Sequence, residues 1–214
     1  FFKKEDKSLQ ILIIKMKIIT QEQLRTQIRE QGSKSINGYI DFNKLHETIV
    51  SKYGEFDDFH IFRETIAELS LGLDILNGNK KFLDLGCGAR KGYDQGLSQE
   101  TFKGKIDFQP ILSRALHELG VKVIGIDYGN LDGEEFEHYS LNLLDENSLS
   151  FIPDYSIDIA HSSMLFDSPQ LIKLSRCAFE KDTREKLKGV LLPQIERIVK
   201  PEGFFYAEEH PPII

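Results

Sequence analysis

Phe82-Leu83-Asp84-Leu85-Gly86-Cys87-Gly88-Ala89-Arg90 is the stretch that decides how this 214-residue chain is read. Lys81 to Leu85 predicts a short buried strand, and Gly86-Cys87-Gly88 predicts a tight turn at its end. Glycines in that place let backbone approach a ligand closely, since no Cβ intervenes, and aim backbone donors at it. A lone Gly-x-Gly is common in turns that hold nothing, so Asp84 carries more weight. A carboxylate two residues before the first glycine is costly at a strand end unless it meets a cation or hydrogen-bond donors. It would repel a pyrophosphate and hold an ammonium.

Downstream the chain alternates strand and helix. Pro110 to Leu119 predicts a helix ended by Gly120, and Val121 to Ile126 a strand ending at Asp127. A weaker strand lies near His138 to Leu141, another at Ile157 to His161, and the last at Phe204 to Glu208. Gln170 to Phe179 and Thr183 to Val199 predict helices. This alternation implies an α/β fold, a doubly wound and mostly parallel sheet with right-handed crossovers. Asp127, at the tip of the second strand, is placed to accept hydrogen bonds from ribose hydroxyls; its bland alternative is a helix-capping or loop acid. It follows Asp84 by 43 positions, where a dinucleotide fingerprint spans about 20. The surplus is Lys91 to Phe108, polar and glycine-containing, which is either a lid with Tyr93 contacting the ligand or a surface excursion.

Upstream, residues 1–79 predict a mainly helical extension, with the α/β domain over 80–214. Thr20-Gln21-Glu22-Gln23 is a capping-box pattern opening a polar helix to about Gln31. Asp41 is placed to cap a second helix bearing Leu45, Ile49 and Val50 and closing near Gly54. Phe59, Phe62, Ile66, Leu69, Leu73 and Leu76 recur at helical spacing in a third, from about Asp57 to Leu76, stopped by Asn77-Gly78-Asn79. Leu9 to Ile19 is β-branched and fits either a strand or a helix.

Phe82 to Arg90, Val123 to Tyr128, Asp154-Tyr155-Ser156-Ile157-Asp158 and Ile198-Val199-Lys200-Pro201-Glu202-Gly203 together resemble the class I S-adenosylmethionine-dependent methyltransferases, whose sheet is Rossmann-like. The last group is similar to that family's Leu-Lys-Pro-Gly-Gly turn before its fifth strand, with Glu202 in place of one glycine. The resemblance spans roughly residues 80 to 209. It implies S-adenosyl-L-methionine as cofactor, with Gly86, Cys87 and Gly88 passing close to its methionyl and ribose parts. It also implies Asp84 at the ammonium, Asp127 at the ribose hydroxyls and Tyr128 against the adenine. Where the family places an acid for the adenine amino group, this chain has Asn142, an uncharged acceptor, followed by Leu143 in the apolar slot. The family's sheet ends with two further strands, the last antiparallel, and these terminal strands are missing after Phe204 to Glu208. Either the sequence is a piece of a longer chain or Leu9 to Ile19 supplies a replacement edge strand. An uncovered edge would invite pairing with a second copy, so a homodimer is a further expectation.

The fourth strand ends in Ala160-His161-Ser162-Ser163, where ligands of parallel sheets bind. His161 is either a general base for the acceptor or a buried, hydrogen-bonded histidine beside the cofactor. The Asn/Asp-Pro-Pro-Tyr signature for amino groups of nucleic-acid bases is absent, which lowers that substrate class. Glu208, Glu209 and His210 share the rim, but neighbours alternate faces in a strand, so no metal site is expected. Cys87 reads as a packing residue in the glycine turn rather than a nucleophile, and Cys177 as core.

Composition sets the outer limits. Net charge is -7, and all of it lies after residue 80, where 15 basic face 22 acidic side chains. Such a surface disfavours nucleic acid as partner. The longest apolar run, Ile11 to Ile14, is too short to span a bilayer. Two cysteines build no disulfide framework, which favours a reducing, cytoplasmic setting. The expectation is a methyltransferase acting on an unidentified acceptor, a small molecule or protein. A nicotinamide-dependent oxidoreductase and a non-catalytic binding module are its rivals.

Overall fold

Every strand of the sheet runs in the same direction. The computed structural model describes residues 16–31, 40–54, 59–89, 109–163, 165–168, 174–175, 177 and 179–208. Six strands, β1 (Lys17–Thr20), β2 (Lys81–Leu85), β3 (Lys122–Asp127), β4 (Glu137–Ser140), β5 (Ile157–Ser162) and β6 (Val199–Ala207), form one sheet in the order β1-β6-β5-β2-β3-β4. The doubly wound parallel α/β reading therefore holds. β2 and β3 are buried along almost their whole length, as strands covered on both faces must be. β4 closes one edge and stays half-exposed, which is why its sequence signal is weak.

The other edge is β1. Lys17 to Thr20 pairs in parallel with Phe204 to Ala207 of β6. The tail of the ambiguous Leu9–Ile19 segment thus takes the strand alternative and covers the β6 edge; residues before Met16 lie outside the described part. Thr20 ends β1 and caps α1 (Gln21–Glu30) at once: its hydroxyl accepts from Gln23 N–H, while the Gln23 side chain accepts from Thr20 N–H. Asp41 caps α2 (Phe42–Tyr53) through Lys44 N–H, and Gly54 ends it.

α3 (Phe59–Gly72) is shorter than its periodicity predicts. Asp74 adopts the left-handed conformation and Ile75 N–H turns back to Leu69 C=O, which ends the helix before Leu76. Leu73 and Ile75 remain buried without helical backbone. α4 (Ile111–Glu118) ends at Gly120 as expected, and α5 (Glu180–Ile198) begins three residues before Thr183. The predicted helix from Gln170 to Phe179 lies mostly outside the described residues, as do Arg90, the Lys91–Phe108 segment with Tyr93, Glu209 and His210.

Side chains alternate across the sheet into two cores. One face carries Phe82, Val123, Ile159 and Tyr206 against Leu24, Ile49, Ile66, Leu69 and Leu116 of α1 to α4. The other carries Leu83, Ile124, Ala160 and Phe205 against Leu187, Leu191 and Ile195 of α5. The helices of residues 1–79 therefore share a core with the strands that follow them. The Lys-Pro-Glu-Gly turn is folded into β6. Ile157 pairs with Val199 and Ile159 with Phe204, so two steps along β5 match five along β6 and the turn bulges outward. At Gly203 a Cβ would stand 2.7 Å from Asp158 O and from Val199 Cγ1, so only glycine fits the bulge.

Candidate functional site

From β2 the chain adds β3 and β4 on one side of the sheet and later β5 and β6 on the other. The order reverses between β2 and β5, and the carboxyl ends of these strands form the crevice where ligands of such sheets bind. The register sets Asp84 of β2, His161 of β5 and Tyr206 of β6 side by side in one row. All three belong to the face covered by α3 and α4.

Asp84 does meet a cation, and the cation is the protein's own. Its Oδ1 lies 2.8 Å from His161 Nδ1, and its Oδ2 accepts the Ser113 hydroxyl of α4 at 2.7 Å. His161 is 1% exposed and its ring stacks on Phe82. Its Nε2 forms no hydrogen bond and stands 3.6 Å from Glu208 Oε1. That carboxylate also takes a hydrogen bond from the Thr65 hydroxyl of α3. Burial opposes charge on the ring, but the hydrogen bond to Asp84 and the attraction of the Asp84 and Glu208 carboxylates outweigh it and push His161 up to about 10. Burial likewise opposes charge on Glu208; His161, Ser163 and Thr65 outweigh it and hold the carboxyl down at about 2. At neutral pH His161 is a protonated imidazolium. The geometry is that of the buried, hydrogen-bonded alternative, and a ring that keeps its proton is a poor general base.

The glycine turn departs from expectation in what it offers. Gly86 and Gly88 both hold positive φ, 73° and 90°, and a Cβ on Gly86 would come within 2.9 Å of Leu165 Cδ1. The N–H groups of Gly86 and Cys87 both donate to Ile126 C=O, at 2.8 and 3.1 Å. Gly88 N–H donates to Asp127 Oδ2 at 3.0 Å. Three successive donors are thus spent inside the protein, and the turn presents close-lying backbone without the N–H cradle that a phosphate needs.

Asp127 sits where it was expected, at the end of β3, buried. Its Oδ1 accepts from Gly129 N–H at 2.8 Å while Oδ2 holds Gly88. Burial pushes its carboxyl up, against the backbone N–H groups of Gly129, Gly88 and Tyr128. Each oxygen keeps a second lone pair for a further donor. Tyr128 beside it is half-exposed. Asn142 is committed locally: its Oδ1 accepts from Leu144 N–H and its Nδ2 donates to Asp145. Leu143 is buried in the core under α5. Cys87 donates to Gly88 C=O, and burial pushes its thiol well up, in keeping with packing rather than nucleophilic chemistry.

Several members of this region carry no motif. Thr65, Glu68 and Ser113 are buried polar residues interrupting apolar helix stripes, and that interruption is the signal that marks them. Glu68 of α3 accepts from Tyr206 Oη at 2.6 Å and pairs with Arg25 of α1. Burial and that carboxylate together push the Tyr206 hydroxyl far up. Arg114 of α4, fully buried, is held bidentately by Glu134 at 2.7 and 2.5 Å and lies over the Tyr53 ring. A groove of about 290 Å³, bounded by Gln21, Glu22, Arg25, Thr26 and Arg29, follows α1 and takes nothing from the strand ends. Among the described residues no group of three or more His, Cys, Asp or Glu could hold a metal ion. No helix among them is long and apolar enough to cross a membrane.

No family model and no curated protein matches the chain. Among solved structures it is similar to a SAM-dependent methyltransferase from Archaeoglobus fulgidus, at 17% identity and a TM-score of 0.35 over 72% of this chain. The chain spans about half the length of that protein, 52%. So loose a likeness leaves the fold to rest on the strand order described above.

Proposed function

We propose that the chain is an S-adenosylmethionine-dependent methyltransferase, acting on a nucleophile of a small molecule or protein. The observation that carries this reading is the charge and donor pattern at the switch point. Carboxylates gather there while the N–H groups of the glycine turn are spent. That pattern suits a cationic nucleoside and suits poorly the pyrophosphate of a nicotinamide dinucleotide.

Asp127 would receive the ribose hydroxyls on its remaining lone pairs, Gly86 and Gly88 would let the backbone approach, and Tyr128 would flank the base. When bound, the sulfonium supplies an activated methyl group whose displacement leaves the bonding electrons on sulfur. The protein's share is alignment of donor and acceptor and exclusion of water. With His161 already protonated, the acceptor's proton passes to solvent. Asp84 is balanced by His161, so it would serve the ammonium only as a shared acceptor. That last feature, with Asn142 tied into its own turn, favours the non-catalytic binding module as the second reading.

Calorimetry with S-adenosylmethionine, its demethylated product S-adenosylhomocysteine and NAD separates the possibilities. The first two should bind and NAD should not; binding of NAD alone would overturn the assignment. Asp127→Ala should weaken the nucleosides by at least about tenfold, the scale of one lost charged hydrogen bond. Unchanged affinity would remove Asp127 from the ribose site. Transfer of a labelled methyl group to an acceptor then distinguishes enzyme from module.

A further inference from the structure

Asp84 and Glu208 flank a single imidazole ring, that of His161. Asp84 holds it at 2.8 Å through Nδ1, while Glu208 stands 3.6 Å from an Nε2 that makes no hydrogen bond. Among the described residues the other groups engaging Glu208 are the hydroxyls of Thr65 and Ser163, which carry no charge. Tyr206 of the same row is turned to Glu68, and Glu68 is matched by Arg25. Among the described residues two carboxylates therefore face one imidazole ring, which can carry at most one positive charge, so negative charge is left over. The two acids differ in access: the Asp84 side chain is 4% exposed and that of Glu208 12%. Glu208 is also fixed in place, since its N–H donates to Ser162 C=O at the end of β5.

We propose that Glu208, steadied by His161 as a positioning residue, is the carboxylate through which the strand-end site prefers a cationic nucleoside over its uncharged, demethylated product. The inference rests on the methyl-donor reading and adds to it a determinant of ligand charge. S-adenosylmethionine carries an ammonium, a sulfonium and a carboxylate, one net positive charge. Its product carries a thioether in place of the sulfonium and is neutral overall. A surplus negative charge set among buried groups is poorly screened, so it acts on that difference without touching the sulfur. The loss of positive charge on transfer would weaken the product's hold and favour its exchange for fresh donor.

The test is calorimetric titration of wild type, Glu208→Gln and Glu208→Asp with three ligands. These are S-adenosylmethionine, S-adenosylhomocysteine and sinefungin, the analogue with an amine replacing the sulfonium. Wild type should bind both cationic ligands at least about tenfold tighter than the neutral one, the scale of one weakly screened charge pair. Glu208→Gln should erase most of that preference while leaving the neutral ligand within about twofold, and Glu208→Asp should restore it. A merely structural role for Glu208 would weaken all three ligands alike. Equal affinities in wild type, or an unchanged preference in Glu208→Gln, would overturn the proposal and leave the methyl-donor reading standing. Should wild type bind none of the three, both fall. The wild-type comparison decides the matter even if Glu208→Gln does not fold.

Discussion

Asp84 needed a cation, and His161 supplies it from 77 positions away in sequence. The need was legible, because a carboxylate at a buried strand end is costly alone. The partner was not, because only the register between β2 and β5 brings the two together. The pair makes stability depend on pH in a definite direction. His161 has a folded value of about 10, above its ordinary 6.5, so its contribution is complete below about pH 6.5 and lost as pH rises through 10. Glu208, at about 2 against 4.5, contributes fully above about pH 4.5 and loses that as pH falls toward 2. Both contributions are whole only between those limits. Scanning calorimetry from pH 4 to 10 should show the melting temperature falling on the alkaline side from about pH 6.5, with the decline smaller and ending at lower pH in Glu208→Gln. A melting temperature of wild type that stays level from pH 6.5 to 10 would contradict a charged His161.

At the scale of elements, Arg114 and Glu134 form a second buried ion pair, joining α4 to the segment between β3 and β4. Removing one partner strands the other charge, so Arg114→Met should cost about 3–5 kcal/mol in chemical denaturation. The double variant Arg114→Met/Glu134→Leu should cost much less than the two single changes added. Additive losses would show that the pair itself contributes little. Neither residue was legible as a site, since an arginine between Ser113 and Ala115 looks like the polar face of an ordinary helix. Elements whose signals are local were read correctly: the caps at Thr20 and Asp41, the stops at Gly54 and Gly120, and the apolar runs of β2 and β3. The failures arose where tertiary contact overrides local pattern. The α3 stripe continues to Leu76, but its last members are buried from a turn, and the turn at Lys200 to Gly203 is absorbed into β6 as a bulge.

At the scale of the whole molecule, β1 stands between the β6 edge and any other strand. A chain lacking the residues through Thr20 would bare the backbone groups of Phe204 to Ala207, on a strand whose side chains are largely buried. Sedimentation velocity should then show more association than the full chain shows, since open edges pair readily. A truncated chain that associates no more than the full chain would mean that something else covers β6. Covering that edge with β1 has a further consequence, in time rather than in space. The residues synthesised early, Lys17 to Thr20, find their partners only when Phe204 to Ala207 have been made. Closing so long a loop delays this ladder until β6 has been made. During synthesis β1 must wait for β6, so this edge of the described sheet closes late, between strands far apart in sequence.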